Sequence, residues 1–479
     1  MRLAIALAIP VIAALTVTGT YLGKEVVVAA AWLSVGVVGM LFVRPMAGIA
    51  IMVAGFMLAT YPVLPSSLGG VLTVNNLLGL GFVVLVVMHI LETRDFSFLR
   101  TPQIRLLCVI GIVFLIGSFY ADATFPLLQQ SRGKRLVLDR TSDMAHDFVT
   151  RLAFLVFFWI FVRTRADIRV IFLTFMFSLF AAVPSAIVNW MQGGLVAGFR
   201  AAASLTTGAN PNRLAMICLT EVGCWWFWSH LRPTKFRALL TAVAISASVV
   251  LVFASGSRSG LLGFGVLLLL LQTGPRQYRV PLRQVAFMGG VAVLGVLAIV
   301  PPESWERMIN FAPERHTFGF RSTMMREDTV FLGFRMLRDH PLFGVGLGNF
   351  REVARQVYLD PFFRPPHNSY LWAMAEGGVP GFLGYALLLA VCWRDLHVAM
   401  GRAQADPEIG FVAAGLRAAF GMFLFFSIFA DNFTSPITHI LVAQIMVLRR
   451  YVDGLPVPAR AMAGGQGVSR AFVTAVAPS

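Results

Sequence analysis

The chain has 479 residues, of which 57% are hydrophobic and only 13% charged, and its mean hydropathy is +0.76. A soluble domain carries about a quarter charged residues, so this balance excludes a soluble globular protein and describes an integral membrane one. Lys and Arg outnumber Asp and Glu by 39 to 23, and where that surplus lies sets the topology.

Apolar stretches of roughly 17–22 residues recur along the chain, each able to cross about 30 Å of hydrocarbon at about 1.5 Å per residue. In chain order the spans fall at 3–20, 26–43, 46–63, 71–90, 104–120, 150–162, 168–190, 212–231, 238–254, 259–272, 285–301, 369–392, 409–430 and 436–448. The expected fold class is all-α: a polytopic integral membrane protein of about 12–14 transmembrane helices with one long periplasmic loop containing short helices. Alternate connections carry the basic residues: Arg94, Arg100 and Arg105; Arg163, Arg165 and Arg169; Arg232, Lys235 and Arg237; Arg276, Arg279 and Arg283; Arg394 and Arg402. The positive-inside rule makes these connections cytoplasmic, and Arg2, Arg449 and Arg450 put both termini on the same side. The first span has no small-residue cleavage site after a short apolar core and reads as an uncleaved anchor. The organisation expected is an N-terminal set of transmembrane helices over 1–204, a core over 205–450, and a flexible cytoplasmic tail over 451–479. Four cysteines, all in or at the edge of spans, offer no disulfide framework or zinc spacing.

Three sizeable pieces then face the other side: 121–149, 191–211 and 302–368. The last holds nine arginines: Arg307, Arg315, Arg321, Arg326, Arg335, Arg338, Arg351, Arg355 and Arg364. Eight acids lie there too, so one reading is a solvated mixed-charge loop. The other is an anion-binding vestibule, because guanidinium forks match phosphate oxygens bidentately; Arg321 and Arg335 are candidate substrate-binding residues on that reading. Over 321–339 the apolar positions have helical spacing, and Arg326 shares a face with Val330, Gly333, Phe334 and Leu337, opposite Arg321, Asp328, Arg335 and Asp339. Arg326 either snorkels along a core edge or aims into a cavity. The run HPLFGVGLGNF follows, with alternating Gly344, Gly346 and Gly348; it lacks the context of a dinucleotide fingerprint and reads as backbone that turns tightly.

Arg258 stands in ASGSRSGLLG, a polar hairpin between two apolar runs, where an ionisable group is a functional candidate or an interfacial anchor. GANPNRLAMIC repeats the pattern at the outer start of another helix and makes Arg213 a secondary binding candidate. Glu221 and Glu376 are intramembrane carboxylates that need partners, and an arginine would serve. None of the eight histidines forms an HxxxH or HExxH pair and there is no Asp-x-Asp, so no metal centre is expected; nor is there a P-loop or a GxSxG elbow. No cofactor is expected, and no nucleic-acid partner.

His367-Asn368, followed after nine residues by Gly378 and then Gly381, resembles the His-Asn signature of the O-antigen ligase and polysaccharide polymerase family, the Wzy-C type. Arg326, the run from Asp339 to Gly346, and Asn349-Phe350 are similar to that family's periplasmic loop, and Ser257-Arg258-Ser259-Gly260 resembles its upstream arginine motif. Pro211-Asn212 looks like a further landmark, and the likeness covers about 205–385. Val330 stands where members often carry an aromatic, and about fourteen spans exceed the twelve of many ligases. The resemblance implies a metal-independent, inverting glycosyltransferase of the bacterial inner membrane, with its active site on the periplasmic face. The implied partners are an undecaprenyl diphosphate-linked glycan donor, a glycan or lipid A core acceptor, membrane lipid, and other polysaccharide-assembly proteins. Arg258 and Arg326 would stabilise charge on the leaving diphosphate. His367 would take the acceptor's proton, which a neutral imidazole is suited to do, with Asn368 capping the helix or orienting the ring or acceptor.

Two other readings compete. A transporter or flippase for an anionic glycolipid would also want many helices and buried arginines, although no internal repeat is evident. A scaffold in an envelope-assembly complex would tolerate changes at Arg258 and His367.

Overall fold

The computed structural model describes residues 44–55, 74–125, 137–203, 210–231, 233–310, 318–360, 365–403, 406–433 and 435–455. The spans expected at 3–20 and 26–43, and the tail beyond 455, lie outside them. Among the described residues the chain is helical throughout, and its extended pairing is an isolated bridge between Val196 and Arg200.

The helices are α1 (Pro45–Gly55), α2 (Val74–Thr93), α3 (Pro102–Thr124), α4 (Val137–Phe161), α5 (Arg165–Phe180), α6 (Ala182–Met191), α7 (Pro211–Leu231), α8 (Lys235–Ala254), α9 (Arg258–Gln272), α10 (Leu282–Ile299), α11 (Pro302–Ile309), α12 (Phe318–Asp339), α13 (Phe350–Gln356), α14 (Ser369–Arg402), α15 (Pro407–Phe426) and α16 (Pro436–Asp453). Five described stretches are long and apolar enough to cross a membrane: Pro102–Ala121, Arg165–Met191, Lys235–Ala254, Ser369–Arg402 and Pro407–Phe426. Backbone groups inside hydrocarbon have no water to bond, and helices satisfy them internally. The span expected at 168–190 is broken at Ala181 into α5 and α6, because Pro184 has no N–H for the carbonyl one turn earlier.

The centre is α7 packed on α15, where small residues let the backbones approach. A Cβ on Gly223 would stand 2.5 Å from Cβ of Ala418. Hairpin α8–α9 covers one flank of this pair and α14 with α3 the other.

Charge sorts to the two ends. At one end Arg165 and Arg169 pair with Glu408, Arg450 donates to the carbonyls of Trp159 and Val162, and Arg402 and Arg449 meet Asp453. The connections at 163–169 and 402–408 therefore share one end of the bundle with the end of α16. At the other end lie the α8–α9 turn, α11, α12, and the mouth of α14.

Candidate active site

The turn Ser255-Gly256-Ser257 joins α8 to α9 in three residues, as the polar hairpin in the sequence requires. Gly256 takes φ +57°, a left-handed conformation open to glycine, and Ser257 caps α9 by accepting the N–H of Gly260 at 3.1 Å. Arg258 is thereby the first residue of α9, and its Nε donates to the carbonyl of Arg307 at 3.2 Å. That carbonyl belongs to α11, a short helix whose Ser304 hydroxyl donates to the carbonyl of Phe199 at 2.8 Å, in the segment before α7, and lies 3.4 Å from the carbonyl oxygen of Ala254 at the end of α8.

The segment before α7 contributes a second guanidinium to the same turn. Arg200 is buried, its Nε donating to the carbonyl of Ser255 at 2.8 Å and its Nη2 to Oδ1 of Asn212 at 3.0 Å. Asn212, beside Pro211 at the start of α7, is thus a holder of Arg200. A third guanidinium, Arg326, arrives on α12, which packs against α14 so closely that a Cβ on Gly333 would meet Leu371 at 2.5 Å. The buried side of α12 is formed by Thr329, Gly333 and Met336, whereas Phe334, expected beside Arg326, is 54% exposed.

Crowding is recorded in the charges. Burial, then the charges of Arg307, Arg326 and Arg258, push Arg200 down to about 9. Arg307 is lowered by burial and by Arg258 and Arg326; Arg326 is lowered by burial and Arg258 and partly restored by Asp431. Each of these arginines therefore lies within electrostatic reach of the others named.

The histidine comes to this group through a long chain of backbone anchoring. Gly344, Gly346 and Gly348 all take positive φ, at +61°, +79° and +77°, and fold the loop after α12 onto α14. The N–H of Val345 donates to the carbonyl of Ala375 at 2.9 Å and that of Gly346 to the carbonyl of Glu376 at 3.1 Å. Those carbonyls accept from outside because α14 breaks at Gly378, which has φ +63° and ψ −163°. Glu376 itself is buried, and its carboxylate accepts the N–H groups of Gly348 at 2.6 Å and Phe350 at 3.0 Å. The partners sought for the two intramembrane carboxylates include no arginine among these bonds: Glu376 takes backbone N–H groups and Glu221 the hydroxyl of Ser248.

Pro365 and Pro366 stop any helix from reaching α14 from upstream. His367 follows with φ +48°, a strained conformation for a residue with a Cβ. Asn368 is the N-cap, its Oδ1 accepting from the N–H groups of Tyr370 at 3.0 Å and Leu371 at 2.9 Å. Ser369 then ties this mouth to the turn after α15: its N–H donates to the carbonyl of Ser427, its hydroxyl donates to the carbonyl of Ala430, and that hydroxyl accepts from the N–H of Asn432. Asp431 is so placed that its Oδ2 lies 3.3 Å from Nδ1 of His367, while the histidine side chain remains 42% exposed. Asp431 also lies within electrostatic reach of Arg326, whose charge it favours.

Of the residues singled out in the sequence, Arg258 lies within electrostatic reach of Arg326, His367 contacts Asp431, which also reaches Arg326, and Asn368 caps the helix beside His367. Arg335 lies on the exposed face of α12, its guanidinium 5.1 Å over the ring of Tyr358, whose hydroxyl donates to Asp339. Among the described residues no hydrogen bond or ion pair joins Arg213 to the group. The side chain of Arg321, with Arg315 and Arg364, lies outside the described residues. Arg200, Arg307 and Asp431 complete the group; Arg307 carried only the signal of its arginine-rich loop, and the other two carried none.

Residues 242–386 match the Wzy_C family model, described as O-antigen ligase. No curated protein matches the chain. The matched segment contains Arg258, Arg307, Arg326, the glycine loop and His367-Asn368; Arg200, Asn212 and Asp431 fall outside it. Over residues 242–386, then, this multi-pass membrane protein is similar to the O-antigen ligase family.

Proposed function

We propose that this protein is a glycosyltransferase that moves an undecaprenyl diphosphate-linked glycan onto the hydroxyl of an acceptor sugar at the periplasmic face of the bacterial inner membrane. The observation that carries the reading is the convergence of Arg200, Arg258, Arg307 and Arg326 beside a histidine–carboxylate pair at one end of the bundle. Buried like charges are costly when empty, and the site recovers that cost when an anion fills it.

Asp431 favours the proton on Nδ1 of His367, which leaves the Nε2 lone pair to take the proton of the acceptor hydroxyl. The hydroxyl oxygen forms its bond to the anomeric carbon as the bond from that carbon to the phosphate oxygen breaks. The electron pair goes to the diphosphate, where the guanidiniums meet the developing charge. One displacement inverts the anomeric centre. The arginines supply the positive charge that a divalent ion would otherwise bring, so the transfer needs no metal. The acceptor is another lipid-linked glycan in a polymerase or the lipid A core in a ligase; the extra helices favour the polymerase.

The test is transfer from a purified lipid-linked donor in detergent. His367→Ala is expected to lower turnover by about 10²- to 10⁴-fold and Arg258→Ala by about 10²- to 10³-fold, with melting temperatures unchanged and EDTA without effect on the wild type. Near-normal transfer by both variants would sink the assignment. Absence of any transfer in detergent, with passage of the glycolipid between leaflets of sealed vesicles, would favour a transporter.

A further inference from the structure

A cavity of about 530 Å³ opens between α7, α8 and α10, at the end of α8 away from the guanidiniums. Its long wall is a stripe of α8: Ala238, Thr241, Ala242, Ile245, Ser246 and Val249. These positions repeat at three and four residues, so they share one face of the helix. Most are small, which makes the face a groove, and Trp226 and Phe287 from the neighbouring helices form its sides. From Ala238 to Val249 the groove runs about 16 Å at about 1.5 Å per residue, roughly half the hydrocarbon thickness. Its depth is therefore that of one leaflet.

The mouth is polar and cationic. Lys235 and His230 line it, together with the first turn of α8, and among the described residues no carboxylate lines the cavity. The N-terminus of a helix presents N–H groups and a positive dipole end. About one and a half turns inside, Thr241 is 5% exposed and its hydroxyl has no hydrogen-bond partner; Oε1 of Gln284, also on the wall, has none either. A buried hydroxyl without a partner costs roughly 1–3 kcal/mol, and here it stands about 9 Å from Lys235 along the helix, on the apolar side of the mouth.

We propose that this groove holds one anionic glycerophospholipid of the leaflet opposite the active site, with its phosphate on Lys235 and the first turn of α8, an ester carbonyl on Thr241, and an acyl chain along the stripe to Val249. The site is separate from the arginine group, which lies at the other end of α8, and it does not depend on the glycosyl-transfer reading.

Native mass spectrometry of the full-length protein with added phosphatidylglycerol or phosphatidylcholine tests it. The wild type is expected to retain one phosphatidylglycerol with a preference of about fivefold or more over phosphatidylcholine. Ala242→Trp fills the groove and should abolish retention of either lipid. Lys235→Glu, on an exposed residue, should abolish the preference for the anionic lipid at an unchanged melting temperature. Equal retention of phosphatidylglycerol by the wild type and Lys235→Glu would overturn the proposal, as would equal retention of the two lipids by the wild type. So would displacement of the bound lipid by a second copy of the chain, seen as a dimer that Ala242→Trp dissociates.

Discussion

A histidine takes up a proton only through a nitrogen that carries none, and here the neighbour that settles the tautomer is Asp431, 3.3 Å from Nδ1 of His367. Asp431→Asn keeps the shape and removes the charge, so it should lower turnover by about 100-fold with the donor KM unchanged. In a His367→Ala background the same change should cost nothing further, because the carboxylate acts through the ring. Equal losses in both backgrounds, read from steady-state transfer, would show that Asp431 serves some other purpose. The histidine was legible in the sequence because two prolines and an asparagine frame it at a span boundary. Asp431 and Arg200 were not, since they reach the site through tertiary contacts such as Ser369 to the 427–432 turn and Arg200 to Ser255. No spacing along the chain encodes those contacts.

The broken helix α14 and the glycine loop are one device. Each glycine does what the other's backbone requires: Gly378 frees carbonyls of α14, and Gly344 and Gly346 let the loop approach them. Gly378→Ala would force a side chain into φ +63° and place its Cβ 2.6 Å from the carbonyl oxygen of Pro341. Glu376→Ala would strip two buried N–H groups of their acceptor, at roughly 1–3 kcal/mol each. Thermal unfolding in detergent should therefore show both variants several degrees below the wild type, with Glu376→Gln between Glu376→Ala and wild type because an amide oxygen still accepts. A Glu376→Ala protein as stable as the wild type would mean the loop is held elsewhere. The glycine pattern predicted tight turns, and that was readable because φ beyond zero has few occupants other than glycine. The face of α12 was read less well. The buried stripe runs through Thr329 and Met336 instead of Phe334, since contact with Leu371 at Gly333 sets the helix rotation, and a hydropathy pattern with apolar residues on several sides does not.

At the scale of the whole molecule the charge rule and the site agree on two opposite ends. Arg335 and Arg279 are both exposed, one on the α12 side and one on the connection after α9. In intact cells a membrane-impermeant maleimide should label Arg335→Cys and spare Arg279→Cys until the membrane is opened, whereas the reverse pattern would invert the assigned topology. The four native cysteines are buried or half-buried and give a low background. The all-helical plan was legible because about thirty ångströms of hydrocarbon demands long apolar runs, and the Gly377-Gly378 pair with Pro380 and Gly381 marked a bend in α14; the interruption at Ala181 needed local chemistry to see. The crowded guanidiniums also bear on how a catalytic cycle ends. On the proposed reaction, the lipid diphosphate left behind has one more ionisable oxygen than the glycan-bearing donor. An array of cations that greets the donor thus grips the spent carrier harder, so on this reaction the spent carrier competes with fresh donor for the site.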